Sequence, residues 1–333
     1  MHLPRVFTRT LGAALGGLML SVPLQAAHAQ SKPEDYPSRP VRIIAPYAPG
    51  GTVDSLARAM GAALSSMLDK TFFVENRPGA GGNVGLTALA KAAPDGYTLG
   101  LAAANMLATN RALYRSLPFD TIKDFAPVGF IGKVPYVLVV HPSVPAKTLA
   151  ELIAELKAHP DKYSYGSSGQ GNTAHLFGEL FKVRTGTKMV HVPYKSSGES
   201  LQDLLAGRIQ LQFFTPVDLM PHIERGALRP IAVASGKRLA SLPAVPTLAE
   251  LNIEGFESPT WFGLVAPAGT PPAIINYLHA QIERAKADPE VAQRLARAGV
   301  ESESLTPEQF AAFIRKEVDH WAAVVKESGT AIE

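Results

Sequence analysis

Apolar and polar positions follow two rhythms along this chain, and the switches between them outline its elements. VRIIAPY (41–47), FFVEN (72–76) and YTLGLAA (97–103) are short apolar runs rich in β-branched and aromatic residues, which predicts strands. Between the first two, Leu56, Met60, Leu64 and Met67 recur at helical spacing and predict a helix of about 15 residues. PGAGGN (78–83) is a glycine turn, and Val84 to Ala93 predicts the next helix. The repeated order of strand, turn and helix predicts a parallel sheet with helices on both faces.

The second half repeats the theme. VPYVLVVHP (134–142) reads as a strand, followed by a helix over 148–158. Thr148 and Glu151, three residues on, form a capping box at its start. YSYGSSGQGNTAHLFGELF (163–181) is again strand, glycine turn and helix. MVHVPY (189–194), IQLQFF (209–214), LRPIAVAS (228–235) and FGLVAPAG (262–269) predict strands, with a short helix over Ser200 to Leu205. Thr270 is the expected N-cap and Pro271 the first residue of a further helix. Thr306, Pro307 and Gln309 open a final helix whose apolar face (Phe310, Phe313, Ile314, Trp321, Val325) reads as core. There is no repeat of fixed period. Two similar strand–glycine turn–helix units, one per half, predict two α/β lobes facing each other across a cleft.

Composition narrows what such lobes would do. The chain has 333 residues, 46% hydrophobic and 18% charged, an ordinary globular balance. Residues 1–29 stand apart. Arg5 and Arg9 make a basic start, Leu11 to Val22 a short apolar run, and Ala27-His28-Ala29 a cleavage signature. That sequence predicts a cleaved export signal and a mature chain from near Gln30, and the run is too short to span a bilayer. Without Arg5 and Arg9, 30 basic residues face 29 acidic ones. A near-neutral chain does not fit a nucleic-acid partner. The absence of cysteine excludes disulfides, thiolate chemistry and iron–sulfur clusters.

The stretch PYAPGGTVDSLAR (46–58) carries the candidate chemistry. It lacks the lysine that a phosphate-binding P-loop needs. Gly169-Gln-Gly171-Asn-Thr-Ala174 fits a dinucleotide pattern, but no acid follows at the required distance. Gly166-Ser167-Ser168-Gly169 is not a nucleophile elbow, because Gln170 stands where glycine is needed. His175, one turn into a helix, reads as a packing or capping residue. No metal site and no cofactor are expected. What remains is a carboxylate cradle. Gly50 and Gly51 allow close approach, Thr52 offers a hydroxyl as N-cap, and the first N–H groups of the helix favour an anion. Ser167, Ser168, Gly169, Gly171, Asn172 and Thr173 build the same device in the other half, unless both turns are only tight connections. Asp54 would repel a carboxylate, and reads as turned into the backbone to fix the loop, with a water-mediated ligand contact as the alternative.

Taken jointly, several segments resemble the Bug-type periplasmic solute receptors of tripartite tricarboxylate transporters. They are YPSRPVRIIAPYAPGGTVDSLAR (36–58), VENRPGAGGNVG (74–85), APDGYTL (93–99), DFAPVGFIG (124–132), YGSSGQGNTAHLFGELF (165–181), VPYK (192–195), LPAVPTLAEL (242–251) and WFGLVAPAGTP (261–271). The resemblance implies a two-lobed type II periplasmic binding fold, with lobe 1 from 36–135 plus 258–333 and lobe 2 from 136–257. It implies a non-enzymatic periplasmic receptor, expected to be a monomer, that hands a small carboxylate to membrane transporter subunits. Carried over, the ligand-binding residues are Tyr47, Ala48, Gly50, Gly51, Thr52 and Asp54 in the first loop. Ala103, Ala104 and Asn105 follow the third strand. Ser167, Ser168, Gly169, Gly171 and Asn172 form the facing loop, with Phe214 and Thr215 beside it.

Two positions depart from the family pattern. Ser196 stands where glycine is common, and Phe213-Phe214-Thr215-Pro216 replaces a polar phrase. A Phe214 facing the cleft would favour an aromatic or apolar carboxylate; a Phe214 packed under it would not. Hinges are expected near Val134–His141 and Gly255–Phe262. A sensor subunit serving a membrane kinase is the alternative partner reading. An enzyme on this scaffold would lack a nucleophile–base pair.

Overall fold

The computed structural model of the chain describes residues 1–2, 35–194, 196–257 and 260–330. The expected export segment therefore lies outside the described residues except for its first two, as do Lys195 of the VPYK segment and 258–259 of the second expected hinge.

Among the described residues eleven strands form two sheets: β1 (Val41–Ala45), β2 (Phe72–Asn76), β3 (Thr98–Ala103), β4 (Phe125–Val134), β5 (Tyr136–Val140), β6 (Ser164–Ser167), β7 (Val190–Pro193), β8 (Leu211–Phe214), β9 (Arg229–Ala234), β10 (Thr260–Pro267) and β11 (Glu301–Ser302). The helices are α1 (Thr52–Leu68), α2 (Asn83–Ala90), α3 (Asn110–Leu113), α4 (Leu149–Ala158), α5 (Thr173–Thr185), α6 (Ser197–Leu205), α7 (Pro216–Glu224), α8 (Pro272–Ala287), α9 (Pro289–Arg297) and α10 (Pro307–Ser328).

The first sheet runs β11-β4-β10-β3-β1-β2 and the second β7-β6-β8-β5-β9. β1 pairs in parallel with β2 and β3, as the alternating pattern predicts. β6 likewise pairs in parallel with β7 and β8, but the expectation is corrected where β10 runs antiparallel to both β3 and β4, and β5 antiparallel to both β8 and β9. Each sheet is mixed because a strand from the far side of a crossover inserts beside the local βαβ strands. Helices cover both faces, and all six residues of the central β3 are buried.

Among the described residues the chain passes between the sheets at three places. Only Pro135 separates β4 from β5. A second passage leads from β9 back to β10. The third is α10, whose Phe310 and Ile314 pack in the core of the first sheet while Trp321, Val324 and Val325 pack in that of the second. The final helix is thus shared between the lobes rather than held by the first alone. At its middle the buried carboxylate of Glu317 accepts from the indoles of Trp261 (3.1 Å) and Trp321 (3.3 Å), one from each core.

Local chemistry sets the boundaries. Both capping boxes, at Thr148 with Glu151 and at Thr306 with Gln309, are formed. Thr270 is not the cap expected; its hydroxyl bonds Pro267 O at 2.8 Å and Pro271 takes the N-cap position. In α5, a Cβ on Gly178 would lie 2.1 Å from the Tyr165 ring, so only glycine lets this helix sit on β6.

Candidate functional site

A cleft of about 830 Å³ opens between the two sheets. Its floor is Val134, Tyr136, Thr260 and Phe262, at the first two interlobe passages. Thr173 and Thr260 hydroxyls lie 2.7 Å apart, and the Tyr136 hydroxyl bonds both, which ties the start of α5 to β10. Burial pushes the Tyr136 phenol above its usual range, so it stays a neutral donor.

One wall begins at the first loop. Gly51, not Thr52, is the N-cap of α1, and no side chain caps the helix. Its first N–H groups have no intrahelical partner and stand behind Gly50, Gly51 and Thr52, which line the cleft. A Cβ on Gly51 would meet no atom within 4 Å, so this corner is open. Gly50 holds φ +90°, a left-handed conformation that glycine adopts without strain.

Asp54 is 4% exposed and faces away from the cleft lining. Its carboxylate accepts from Gly50 N (3.0 Å), Arg58 Nε (3.0 Å) and Asn76 Nδ2 (2.8 Å). Burial alone would raise its pKa; the bonds from Arg58, Gly50 and Asn76 outweigh that and hold it at about 2. The acid therefore fixes the loop from behind. Asn76 also donates to Tyr47 O at 3.0 Å, which continues the brace. The Tyr47 ring and Asn105 lie behind the loop. Asn105 Nδ2 donates to the Tyr47 hydroxyl (2.8 Å) and to Gly81 O (3.0 Å). Ala48 is exposed beside the loop, and Ala103 and Ala104 are buried in the first core. None of Tyr47, Ala48, Ala103, Ala104 and Asn105 is among the cleft-lining residues.

The expected facing loop is built differently. Ser167 is fully buried, its hydroxyl donating to Gly169 O (2.9 Å) and lying 2.7 Å from His191 Nε2. Asn172 caps α5 by accepting from His175 N (2.9 Å) and donates to Ser168 Oγ (2.7 Å). Gly171 N donates to His175 Nδ1 at 3.0 Å. Gly169 N, Gly171 N, the Ser167 hydroxyl and the Asn172 amide thus donate within the loop. The imidazoles of His175 and His191 stack with centroids 4.0 Å apart, and Tyr165 stacks on His191. Burial, with the His175 charge next, depresses the His191 pKa to about 4. Burial likewise lowers that of His175.

The opposite wall comes instead from two other helix starts. Ser196 caps α6 by accepting from Glu199 N (3.2 Å), and Ser196, Ser197 and Gly198 line the cleft. Thr215 begins α7 and donates to Asp218 Oδ2 at 2.7 Å, and both line the cleft. The first residues of three helices therefore border one space, each with the positive end of its dipole. Ser196 to Glu199 is a capping-box spacing that could have marked this wall in the sequence. Arg58, Arg294 and Arg297 also line the cleft.

Phe214 does not line the cleft. Phe213 and Phe214 point to opposite faces of β8, and both faces are covered. Phe213 packs with Phe177, Phe181 and Phe256; Phe214 packs with Val137, Val139, Leu204 and Leu219. The argument from Phe214 for an aromatic ligand loses its basis. Among the described residues no group of His, Asp or Glu is placed to hold a metal ion, and no helix is long and apolar enough to cross a membrane.

Two mixed α/β lobes with a cleft between them form the two-lobed fold of periplasmic binding proteins. The model of the tripartite tricarboxylate transporter family receptor matches residues 56–330, and the chain belongs to that family. It is 39% identical over 301 residues to Protein BugT of Bordetella pertussis, covering 90% of this chain and 92% of that protein. A structure of R. palustris Rpa4515 with adipate is 36% identical with a TM-score of 0.78, covering 89% of this chain and 99% of the other. MatC (Rpa3494) from Rhodopseudomonas palustris with bound malate is 30% identical with a TM-score of 0.74, covering 87% and 100%.

Proposed function

We propose that this receptor captures a small carboxylate in the interlobe cleft and delivers it to a tripartite tricarboxylate-type membrane transporter. The observation that carries this reading is the uncapped start of α1 behind Gly50, Gly51 and Thr52, open to the cleft. A carboxylate there accepts from backbone N–H groups and meets the positive helix end. The starts of α6 and α7 approach from the other lobe. Similar proteins have been seen with adipate and with malate, both carboxylates.

The energetics are adequate. Micromolar affinity requires about −8 kcal/mol. Charge-assisted hydrogen bonds contribute about 1.5–3 kcal/mol each, so four or five offset the costs of association and closure. Lobe 1 is 36–135 with 258–333 and lobe 2 is 136–257, with α10 as a shared strut. Export by residues 1–29 would place the mature chain, a monomer, in the periplasm.

The test is a thermal-shift screen of the mature protein against dicarboxylates, tricarboxylates, acidic amino acids and aromatic acids. Ligand at a hundred times its dissociation constant adds about 2.7 kcal/mol, a visible shift. A shift with at least one carboxylate is expected. No shift with any of them would overturn the reading.

A further inference from the structure

A second pocket, of about 360 Å³, lies where α10 meets the second interlobe passage. Its walls carry Arg184 of α5, Glu254 and Glu257 of the passage, and His320, Val324 and Glu327 of α10. Glu257 also borders a neighbouring pocket with Lys133 and Pro135, so it stands where the first and second passages meet. His320 lies three residues after Glu317, the acid on which the indoles of both cores converge. Its ring meets Trp321 edge-on, with centroids 5.4 Å apart. The buried His320 Nε2 has no hydrogen-bond partner among the described residues.

The charges around that imidazole are uneven. Arg184 is engaged, donating to Glu254 O (3.3 Å) and pairing with Glu327. Glu317 already accepts from two indoles. Glu257 is exposed, and its carboxylate accepts from Gly255 N (2.9 Å), a bond that turns the passage. Burial lowers the His320 pKa; the charges of Glu317 and Glu257 work against this, and those of Lys316 and Arg184 add to it. The imidazole is therefore neutral at neutral pH and takes up a proton in acid. An imidazolium donates from both nitrogens, so Nε2 then needs an acceptor. Glu257 is the carboxylate of the passage whose charge already acts on the ring.

We propose that this pocket is a proton-operated switch on the hinge: protonation of His320 draws Glu257 from its turn onto α10, shifts the second passage and weakens ligand binding in the cleft. The direction follows from linkage. In the arrangement described, the starts of α1, α6 and α7 face one cleft while His320 Nε2 has no acceptor. A proton favours an arrangement that supplies one, and so opposes the one that holds ligand. The joint itself carries the change, because α10 packs in both cores and Glu317 joins Trp261 to Trp321. The effect on ligand rests on the receptor reading above; the proton site does not.

Two measurements test it on the mature protein, as wild type, His320→Gln and Glu257→Gln. The chain has two tryptophans and both bond Glu317, so emission from the ligand-free protein reports on the joint. Acidification should give the wild type an emission step at a pH below 6.5. His320→Gln should lack that step, and Glu257→Gln should move it to lower pH, because a charge that favours the imidazolium is gone. A wild type without the step, or His320→Gln with the same one, overturns the switch. Titration calorimetry with malate and adipate then compares about pH 7.5 with about pH 5.5. Over that range the wild type should lose about fivefold more affinity than either variant. Equal losses in all three overturn the switch and leave the receptor reading standing. Failure of these and every other carboxylate to bind at neutral pH overturns the receptor reading, while the emission step still decides the proton site.

Discussion

The loop after β1 and the loop after β6 share one sequence theme, a strand running through glycines into a helix, yet they do opposite things with their polar groups. After β1 the helix start carries no side-chain cap, and the fixing acid, Asp54, holds the loop from behind. After β6 the cap is filled by Asn172, Gly171 N is held by His175, and Ser167 is buried. The first loop leaves its helix start uncapped at the cleft; the second fills its cap with Asn172 and holds Gly171 N on His175. A glycine turn before a helix is thus a possibility for binding, and what decides is whether a side chain already occupies the cap.

Gly51→Val is the strongest way to break this comparison. The residue has φ −84° and ψ 174°, an extended conformation that valine adopts readily, and the space beyond it is empty. The fold should survive with a melting temperature near wild type. The side chain would fill the approach to the α1 N–H groups, removing about two charge-assisted bonds and weakening carboxylate affinity about a hundredfold. Calorimetry on a folded Gly51→Val that still binds with wild-type affinity would refute the cradle.

Acid separates the loops next. His191 titrates at about 4 in the folded chain against 6.5 unfolded. Between those values the unfolded chain takes up the proton and the folded one does not, so stability falls as pH drops from about 6.5 to about 4. Asp54 stays ionised down to about 2 in the fold, against 3.8 unfolded, so its contribution is present above 3.8 and lost from there to about 2. The second loop should therefore loosen before the first. Thermal melts across this range should show the upper decline flattened in His191→Gln and the lower decline flattened in Asp54→Asn. An upper decline unchanged in His191→Gln would mean that the stacked imidazoles do not couple to folding.

Legibility in the sequence followed the range of the interaction. β1 to β3, both capping boxes and the opening Gly50–Thr52 turn are local chemistry, and they could be read directly. β4 is not legible as a strand, because FAPVGFIGKV carries a proline and two glycines that obscure one. α7, with Pro221 inside it, and α9, with only two buried side chains, gave too weak a period to see. The antiparallel insertion of β10 depends on a crossover that no local pattern encodes. The lobe 2 wall at Ser196–Gly198 and Arg297 of lobe 1 reach the cleft from far along the chain, so only the fold reveals them. Phe214 was ambiguous because alternation on a strand covered on both faces does not say which face meets a ligand.

The smallest expected effect sharpens the comparison from the other side. Asn172→Ala removes the acceptor for His175 N and the donor to Ser168 Oγ. Loss of an N-cap costs about 1 kcal/mol, so denaturant unfolding should register that decrease. Carboxylate affinity should stay close to wild type, because Asn172 acts within its own loop and is not part of the cleft lining. A large affinity loss at unchanged stability would show instead that closure of the lobes brings this loop onto the ligand. The two glycine turns would then be one device after all, with the second opened only when the first is occupied.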